Sequence, residues 1–249
     1  MSKDKPEEVV LYGFHRSTYV SVARLVLHAK GVPYRFHDVE HDIYTPEHRK
    51  RHPFGRVPVL QHGDFWLYET SAIAIYIEET FDGPRLLPED LRQRARCQQW
   101  ISTLNAYFYP YMIYHLVHER LVFPDLGIAA DESVVAAALP KIDEALGVME
   151  EALREHPYVV GDAPTLADYF LLPTLTAISF VAEGQARLAR SPNVATWLSR
   201  MGQLRPVLEF RAILPPRAPI EHARRWATEH RPGVRETVRA EDSCFSVGG

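Results

Sequence analysis

The stretch VPVLQHGDFWLYETSAIAIYIEETF, residues 57–81, contains two short runs of β-forming residues and then a helical pattern. The runs at 57–60 and 65–68 are joined by a segment of hairpin length that contains Gly63, which predicts two antiparallel strands. From Glu69 onward, apolar residues recur at the spacing of one helix face, namely Ala72, Ile73, Tyr76 and Ile77. The stretch therefore predicts a β-hairpin that is followed at once by a helix.

The residues before this hairpin alternate between strand and helix patterns. Residues 9–12 and 34–39 are rich in β formers and predict two strands. Residues 20–30 have apolar residues close to helical spacing, and Thr45 and Pro46 are typical of the start of a short helix. The predicted order is thus β-α-β-α-β-β-α, which is the order of an α/β thioredoxin-like domain with a mixed sheet. The redox cysteines of such domains are absent here.

The chain after residue 82 is predicted to be helical. Residues 82–89 contain Gly83, Pro84 and Pro88, which indicate a linker. Helices are then predicted at about 90–121, 131–155, 165–182, 191–204 and 206–213, and Pro110 and Pro173 predict kinks within two of them. We therefore expect a thioredoxin-like domain at 1–81, a linker at 82–89, an all-α helical domain at 90–214 and a Pro/Arg-rich tail at 215–249, extended or partly disordered.

Composition excludes several classes of protein. The chain has 249 residues, a net charge of −4 and a pI near 6.3, which do not favour an extended nucleic-acid surface. No apolar run approaches the roughly 20 residues of a membrane helix, and the charged N-terminus is unlike a secretory signal. The two cysteines, Cys97 and Cys244, form no disulfide framework or Cys-rich zinc site. We expect a cytoplasmic protein that binds neither nucleic acid nor membranes.

Ser17 lies between the first predicted strand and the first predicted helix. A hydroxyl at a helix N-terminus lies near free amides and the positive end of the helix dipole, so it can donate a hydrogen bond to a bound thiolate. Redox members of this architecture have a cysteine at that position. Taken alone, the motif is better explained by Ser17 or Thr18 as a simple helix cap.

Two further segments place polar groups at the ends of predicted elements. A bend or cis bond at Pro58 would turn the amide and carbonyl of Val57 outward, where they can pair with an extended ligand as an added strand does. Glu69 and Thr70 lie where a strand gives way to a helix, a place suited to a ligand carboxylate and an adjacent amino group. The simpler interpretations are a strand-protecting proline and a helix cap.

A fourth segment, residues 161–168, has Thr165 followed three residues later by Asp168 and then by apolar residues. This is the spacing of a capping box. We predict a structural role for Asp168 at the start of a buried helix.

Together these segments resemble the glutathione S-transferase family, over about residues 8–213. The resemblance depends on Ser17 with Arg24 seven residues later, PFGRVP at 53–58, YETSAI at 68–73 and the segment at 161–168. The pattern around Ser17 is most similar to the serine-type bacterial, theta and phi-like members.

The resemblance implies a role for each matching residue. Ser17 would hydrogen-bond the glutathione sulfur, and Val57, before a cis Pro58, would pair with the cysteinyl backbone. Glu69 and Thr70 would bind the γ-glutamyl end. Arg56 would lie near the glutathione backbone or its glycine carboxylate. Glutathione is then a co-substrate, and no metal is needed.

The sequence departs from the family pattern at three places. Thr70 stands where a serine is usual, and His52 stands where an asparagine is usual. The basic residues that many members have before the second helix are not evident around residues 43–44, which leaves recognition of the glycine carboxylate open. Tyr12, Thr18 and Tyr19 remain alternative donors to the thiol.

The electrophile is expected to bind between the two domains. Tyr107, Tyr111, Tyr114, His115 and His118 share one face of the first long helix at α-helical spacing, and they are the candidates for its site. An aromatic stripe of this kind also fits a helix core. Phe54 predicts a homodimer, because several family classes insert an aromatic from this loop into the partner subunit.

The predicted function is conjugation of glutathione to a small hydrophobic electrophile. The alternatives are a glutathione-binding or interaction protein with little turnover, or glutathione-dependent isomerisation, dehalogenation or peroxide reduction, because a fold does not fix a function. Cysteine-type chemistry is disfavoured, since no cysteine lies near residue 17.

Overall fold

The computed structural model describes residues 7–216. The predicted tail at 215–249 therefore lies almost wholly outside the described residues. Within them, no helix is both long and apolar enough to cross a membrane.

The first part of the chain folds as β1 (Val9–Gly13), α1 (Thr18–Lys30), β2 (Arg35–Asp38), α2 (Pro46–Arg51), β3 (Val59–His62), β4 (Phe65–Tyr68) and α3 (Thr70–Thr80). The strands form one sheet in the order β2-β1-β3-β4, with β1 and β2 parallel and the other neighbours antiparallel. The predicted α/β thioredoxin-like order and the hairpin are confirmed. The strand predicted from residue 57 begins at Val59, because Pro58 has no N–H for the sheet, and the Val57–Pro58 bond is cis.

The second part is helical. Its elements are α4 (Leu91–Thr103), two π-helical segments (Leu104–Phe108 and Pro110–Val122), the single turn α5 (Phe123–Asp125), α6 (Glu132–Ala152), α7 (Leu166–Ile178), α8 (Ala182–Leu188), α9 (Pro192–Gly202) and α10 (Arg205–Ala212). The π segments, with hydrogen bonds five residues apart, were not predicted. The helix expected at 165–182 ends at Ile178, and a separate helix, α8, follows it.

Helix α1 is the centre of the molecule. It packs on α3 and on the sheet in its own part of the chain, and on α7 and α10 of the helical part. Leu11 and Leu60 of the sheet face this large core. The opposite face of the sheet carries a small core of Val10, Tyr12, Val39 and Val59. Alternation along β1 thus directs Tyr12 away from α1.

A buried ion pair joins α1, α3 and the segment after α3. Lys30 Nζ lies 3.0 Å from Glu78 Oε2, and both side chains are almost fully buried. The other carboxylate oxygen, Oε1, accepts hydrogen bonds from the backbone amides of Leu86 and Leu87 at 3.0 and 3.2 Å. The predicted linker at 82–89 contains no helix or strand, and this carboxylate holds it in place. The division of the chain into domains there remains a prediction.

Replacing Glu78 tests this junction. Glu78→Gln keeps the shape of the side chain but leaves the Lys30 ammonium buried without its counter-ion. We expect the free energy of unfolding, measured in urea, to fall by about 3–5 kcal/mol. The control Glu47→Gln removes one partner of the exposed pair with Lys50 and is expected to cost less than about 1 kcal/mol. Similar small losses in both variants would contradict the role of the buried pair.

Candidate active site

A cavity of about 230 Å³ lies between the thioredoxin-like part and the helical part. One wall comes from the turn between β1 and α1 and from the segments before α2 and β3. The other wall comes mainly from the second π-helical segment. The lining residues are Phe14, Arg16, Ser17, Thr18, Tyr19, Ile43, Tyr44, Arg56, Val57, Tyr109, Ile113, Tyr114, Val117, His118, Val122 and Ala177. The wall therefore combines hydroxyl and cationic groups with aromatic rings, and no carboxylate among residues 7–216 lines it.

Ser17 is the N-cap of α1 and lines this cavity. Its backbone is extended, with φ −70° and ψ 121°, and its Oγ accepts a hydrogen bond from the Val20 amide at 3.3 Å. Helix geometry leaves the first-turn amides of α1 without partners inside the helix, and they give this end a partial positive charge. Ser17 thus caps the helix and also lies at its anion-attracting end, so its two predicted interpretations are compatible.

The hydroxyls of Tyr12 and Thr18 each form a hydrogen bond to another side chain. Tyr12 donates to Gln61 Oε1 at 2.9 Å, on the sheet face that points away from α1. The Thr18 hydroxyl lies 2.9 Å from the Tyr109 hydroxyl. The Ser17 hydroxyl, by contrast, donates to no group among residues 7–216 in the hydrogen bonds of the structure.

The turn that precedes Ser17 is fixed by Arg24, which lies seven residues further along α1. Arg24 is buried, and its Nη1 donates to His15 Nδ1 at 2.9 Å while its Nε donates to the Tyr34 hydroxyl. The guanidinium also lies over the ring of Phe36, at 4.5 Å from the centroid. Burial and the Arg24 charge lower the pKa of His15, which keeps His15 neutral and able to accept this bond. The seven-residue spacing between Ser17 and Arg24 therefore places Arg24 where it anchors this turn.

Arg56 and Val57 form the cavity wall opposite the helical part. The backbone carbonyl of Arg56 accepts a hydrogen bond of 2.8 Å from Nε2 of the fully buried His48. This bond positions the segment that precedes β3. His52 lies next to the same segment, and its Nδ1 accepts a hydrogen bond from the Phe54 amide at 3.3 Å.

Glu69 and Thr70 lie at the start of α3, but neither is among the residues that line the cavity. Glu69 lies near enough to Tyr19 to act on its phenol, whose pKa is raised by burial first and by Tyr114 and Glu69 in addition. The backbone of Glu69 has φ 71°, the left-handed value that non-glycine residues rarely adopt. Such strain persists where the surrounding structure enforces it, and it clusters at functional sites.

The helical wall differs from the face predicted for it. Tyr114 and His118 line the cavity, whereas Tyr107, Tyr111 and His115 are not among the lining residues. The prediction assumed 3.6 residues per turn, but this segment is π-helical, with about one more residue in each turn.

The wider turn brings residues four or five positions apart to the cavity, namely Tyr109, Ile113, Tyr114, Val117, His118 and Val122. Tyr109 was missed by the sequence analysis for this reason. Tyr109 lies next to Pro110, which has no amide donor for a helix interior. This proline is the only signal in the sequence of altered helix geometry here.

Asp168 lies outside the cavity, in the core of the helical part. Its carboxylate accepts hydrogen bonds from the Thr165 amide at 2.8 Å, from the Val159 amide at 3.2 Å and from the Trp197 indole at 2.8 Å. The predicted capping box is confirmed. No cluster of three or more metal-ligating side chains occurs in the part of the chain that the structure describes.

Two family models match the chain. Residues 11–85 match the N-terminal domain of glutathione S-transferases, and residues 100–204 match their C-terminal domain. The chain belongs to the glutathione S-transferase family. The family, fold and transferase class predicted from the sequence are thereby confirmed.

Plant transferases are among the similar proteins. Glutathione S-transferase F14 of Arabidopsis thaliana is 34% identical over 158 residues, 62% of this chain and 61% of that protein. Probable glutathione S-transferase GSTF1 of Oryza sativa subsp. japonica is 30% identical over 216 residues, 84% of this chain and 97% of the rice protein. Glutathione S-transferase I from maize, solved with an atrazine glutathione conjugate, aligns with a TM-score of 0.77 at 28% identity over 86% of this chain and 100% of that one.

The departure of this transferase at His52 has a measurable consequence. The His52 side chain is only 3% exposed, and burial, with His48 and Arg56 nearby, lowers its pKa to about 4. The unfolded chain binds a proton at His52 below its ordinary pKa of 6.5, whereas the folded chain does so only near pH 4. The contribution of neutral His52 to the free energy of unfolding is therefore at its maximum above about pH 6.5. It is lost as the pH falls towards 4.

We expect the free energy of unfolding to fall between pH 7 and pH 4, with roughly 2–3 kcal/mol of the loss due to His52. His52→Asn, the residue usual in the family, is expected to flatten this dependence while still accepting a bond from the Phe54 amide. The measurement is urea unfolding at a series of pH values. A variant with the wild-type slope would show that His52 does not couple protonation to folding.

Proposed function

We propose that this transferase activates the thiol of glutathione with the hydroxyl of Ser17 for attack on a flat, hydrophobic electrophile. The observation that carries the proposal is the position of Ser17, which caps α1 inside the cavity and has its hydroxyl hydrogen available. The competing hydroxyls of Tyr12 and Thr18 are engaged with Gln61 and Tyr109.

The energy required is modest. A free thiol has a pKa of about 8.5, so only a few per cent is ionised at pH 7. Lowering that pKa by about two units takes roughly 2.7 kcal/mol of preferential stabilisation of the anion. A hydrogen bond to a charged acceptor contributes about 1.5–3 kcal/mol, and a helix N-terminus adds about 0.3–1 kcal/mol. Ser17 and the first turn of α1 together are sufficient.

The rest of glutathione would extend from Ser17 along the thioredoxin-like part. In this proposal the cysteinyl backbone pairs with Val57 as an added strand does, and Arg56 lies beside it. The γ-glutamyl end binds at Glu69 and Thr70, where the Glu69 carboxylate faces the ligand ammonium. The strained backbone of Glu69 and its nearness to Tyr19 at the cavity support this placement.

The electrophile would bind against the helical wall. Tyr19, Tyr44, Tyr109 and Tyr114 give the cavity an aromatic lining that suits flat apolar groups. In the reaction the thiol proton passes to solvent, the sulfur forms a bond to carbon, and the leaving group departs with its electron pair. The atrazine glutathione conjugate in the maize structure is an example of a product of this kind.

Alternative chemistries receive less support. A cysteine-type reaction needs a reactive thiolate, but Cys97 is buried, and burial raises the pKa of its thiol. Turnover with any of an aryl halide, an epoxide, an isothiocyanate and a hydroperoxide separates an enzyme from a protein that only binds glutathione, and the pattern of turnover distinguishes conjugation from peroxide reduction. We expect turnover with the aryl halide, and absence of turnover with all four would favour a binding protein.

Replacing Ser17 tests the proposed donor. In Ser17→Ala we expect the pKa of bound glutathione to rise by one unit or more, about tenfold less thiolate at neutral pH, with affinity changed much less. Tyr12→Phe is the matched control, and its thiol pKa is expected to equal that of the wild type. Glu69→Gln is expected to weaken binding without moving the thiol pKa.

The measurement is thiolate absorbance against pH, with affinity from calorimetry. A rise of the pKa in Tyr12→Phe together with none in Ser17→Ala would assign the role to Tyr12.

We also propose a cytoplasmic homodimer. Phe54 is 69% exposed in a loop next to α2, and the exposed Trp66 and Tyr68 share one face of β4, where the Tyr68 ring lies 4.8 Å from the ring of His52 beside Phe54. An apolar surface of this kind is typical of an interface. The unpaired Cys97 fits a reducing compartment.

Phe54→Ala tests the dimer. Loss of an aromatic side chain at the centre of an interface typically costs about 2 kcal/mol or more. We therefore expect the dissociation constant of the dimer to rise roughly 30-fold. Phe180→Ala is the matched control, because Phe180 is 67% exposed and follows α7 in the helical part, whereas this surface belongs to the thioredoxin-like part. Analytical ultracentrifugation over a range of concentrations gives the constants. A monomeric wild type at micromolar concentration would contradict the proposal.

A further inference from the structure

Tyr109 connects the helical part of the chain to the start of α1. Its hydroxyl lies 2.9 Å from the Thr18 hydroxyl, and its ring stacks on Tyr19 with centroids 4.4 Å apart and planes 20° apart. Thr18 and Tyr19 directly follow Ser17 and begin the first turn of α1. A residue from outside the thioredoxin-like part therefore holds the turn that carries the proposed thiol donor.

Tyr109 is suited to this contact because it stays neutral. Its side chain is buried, and burial, with the phenols of Tyr114 and Tyr19 nearby, raises the pKa of Tyr109 well above its usual value. The hydroxyl thus keeps its proton over the whole pH range in which glutathione ionises. The bond to Thr18 is then a hydrogen bond between two neutral hydroxyls.

Two anchors then fix the N-terminus of α1, one before Ser17 and one after it. Arg24 holds the turn before Ser17 through His15, within the thioredoxin-like part. Tyr109 holds the residues after Ser17 from the helical part. A hydrogen bond weakens steeply as its angle departs from linearity, so small rotations of this turn weaken the bond that Ser17 gives to a thiolate.

We propose that Tyr109 is a positioning residue for thiol activation, which acts through Thr18 to fix the orientation of the Ser17 hydroxyl. The inference depends on the proposed function of Ser17. It adds that the helical part, besides forming the electrophile wall, sets the acidity of glutathione bound to the thioredoxin-like part.

The test is the pKa of bound glutathione, measured from thiolate absorbance, in Tyr109→Phe, Thr18→Val and the double variant. Tyr109→Phe keeps the stacked ring, and Thr18→Val removes the same hydrogen bond from the other side. We expect each single variant to raise the thiol pKa by about half a unit, roughly threefold less thiolate at neutral pH. The double variant is expected to match the larger single effect, because both changes remove one bond.

Tyr76→Phe is the control, since it removes a tyrosine hydroxyl bonded to His62 Nδ1 at 2.8 Å, outside the cavity lining. Its thiol pKa is expected to equal that of the wild type, and glutathione affinity in all variants to stay within about twofold of it. A pKa that shifts in only one of the single variants, or additively in the double, would overturn the inference.

The outcome for Ser17→Ala separates the two claims. If Ser17→Ala raises the thiol pKa while Tyr109→Phe and Thr18→Val leave it unchanged, the inference fails and the proposed function stands. If Ser17→Ala also leaves the pKa unchanged, both fail.

Discussion

The fixed placement of the first turn of α1 is the constraint on which the rest of the site depends. The helix packs on α3 and the sheet on one side and on α7 and α10 on the other, so it cannot shift without disturbing both parts of the chain. The Arg24–His15 bond holds the turn before the helix, and the Tyr109–Thr18 bond holds its first residue. The Ser17 hydroxyl at this point then has a fixed orientation. The N-terminus of a helix attracts anions in general, so a fixed hydroxyl is needed if the site is to select a sulfur atom.

The cavity follows from that placement. The segment with Arg56 and Val57, held by buried His48, forms one wall, and the π-helical segment forms the other. The first wall offers polar backbone and cationic side chains beside the rings of Phe14, Tyr19 and Tyr44, and the second wall is mostly apolar and aromatic. A peptide-like ligand therefore fits the first wall, and an apolar ligand fits between the aromatic rings of both parts, which agrees with membership of the glutathione S-transferase family.

The parts of this architecture that depend on local patterns could be predicted from the sequence. The hairpin at Gly63, the capping position of Ser17 and the capping box of Asp168 each depend on residues close together in the chain. The departures arise from tertiary structure. The π-helical register between Leu104 and Val122 moves Tyr109 to the cavity, and Glu69 has a left-handed backbone at the start of α3. Neither leaves a periodic signal that a single sequence displays.

The central claim is that the glutathione sulfur binds at the N-terminus of α1 against Ser17. A crystal structure of the protein with glutathione tests it most directly. We expect the sulfur to lie within hydrogen-bonding distance of Ser17 Oγ. The cysteinyl backbone is expected to pair with Val57, and the γ-glutamyl end to lie at Glu69 and Thr70. A sulfur atom bound at Tyr12, or glutathione bound outside the cavity, would contradict it.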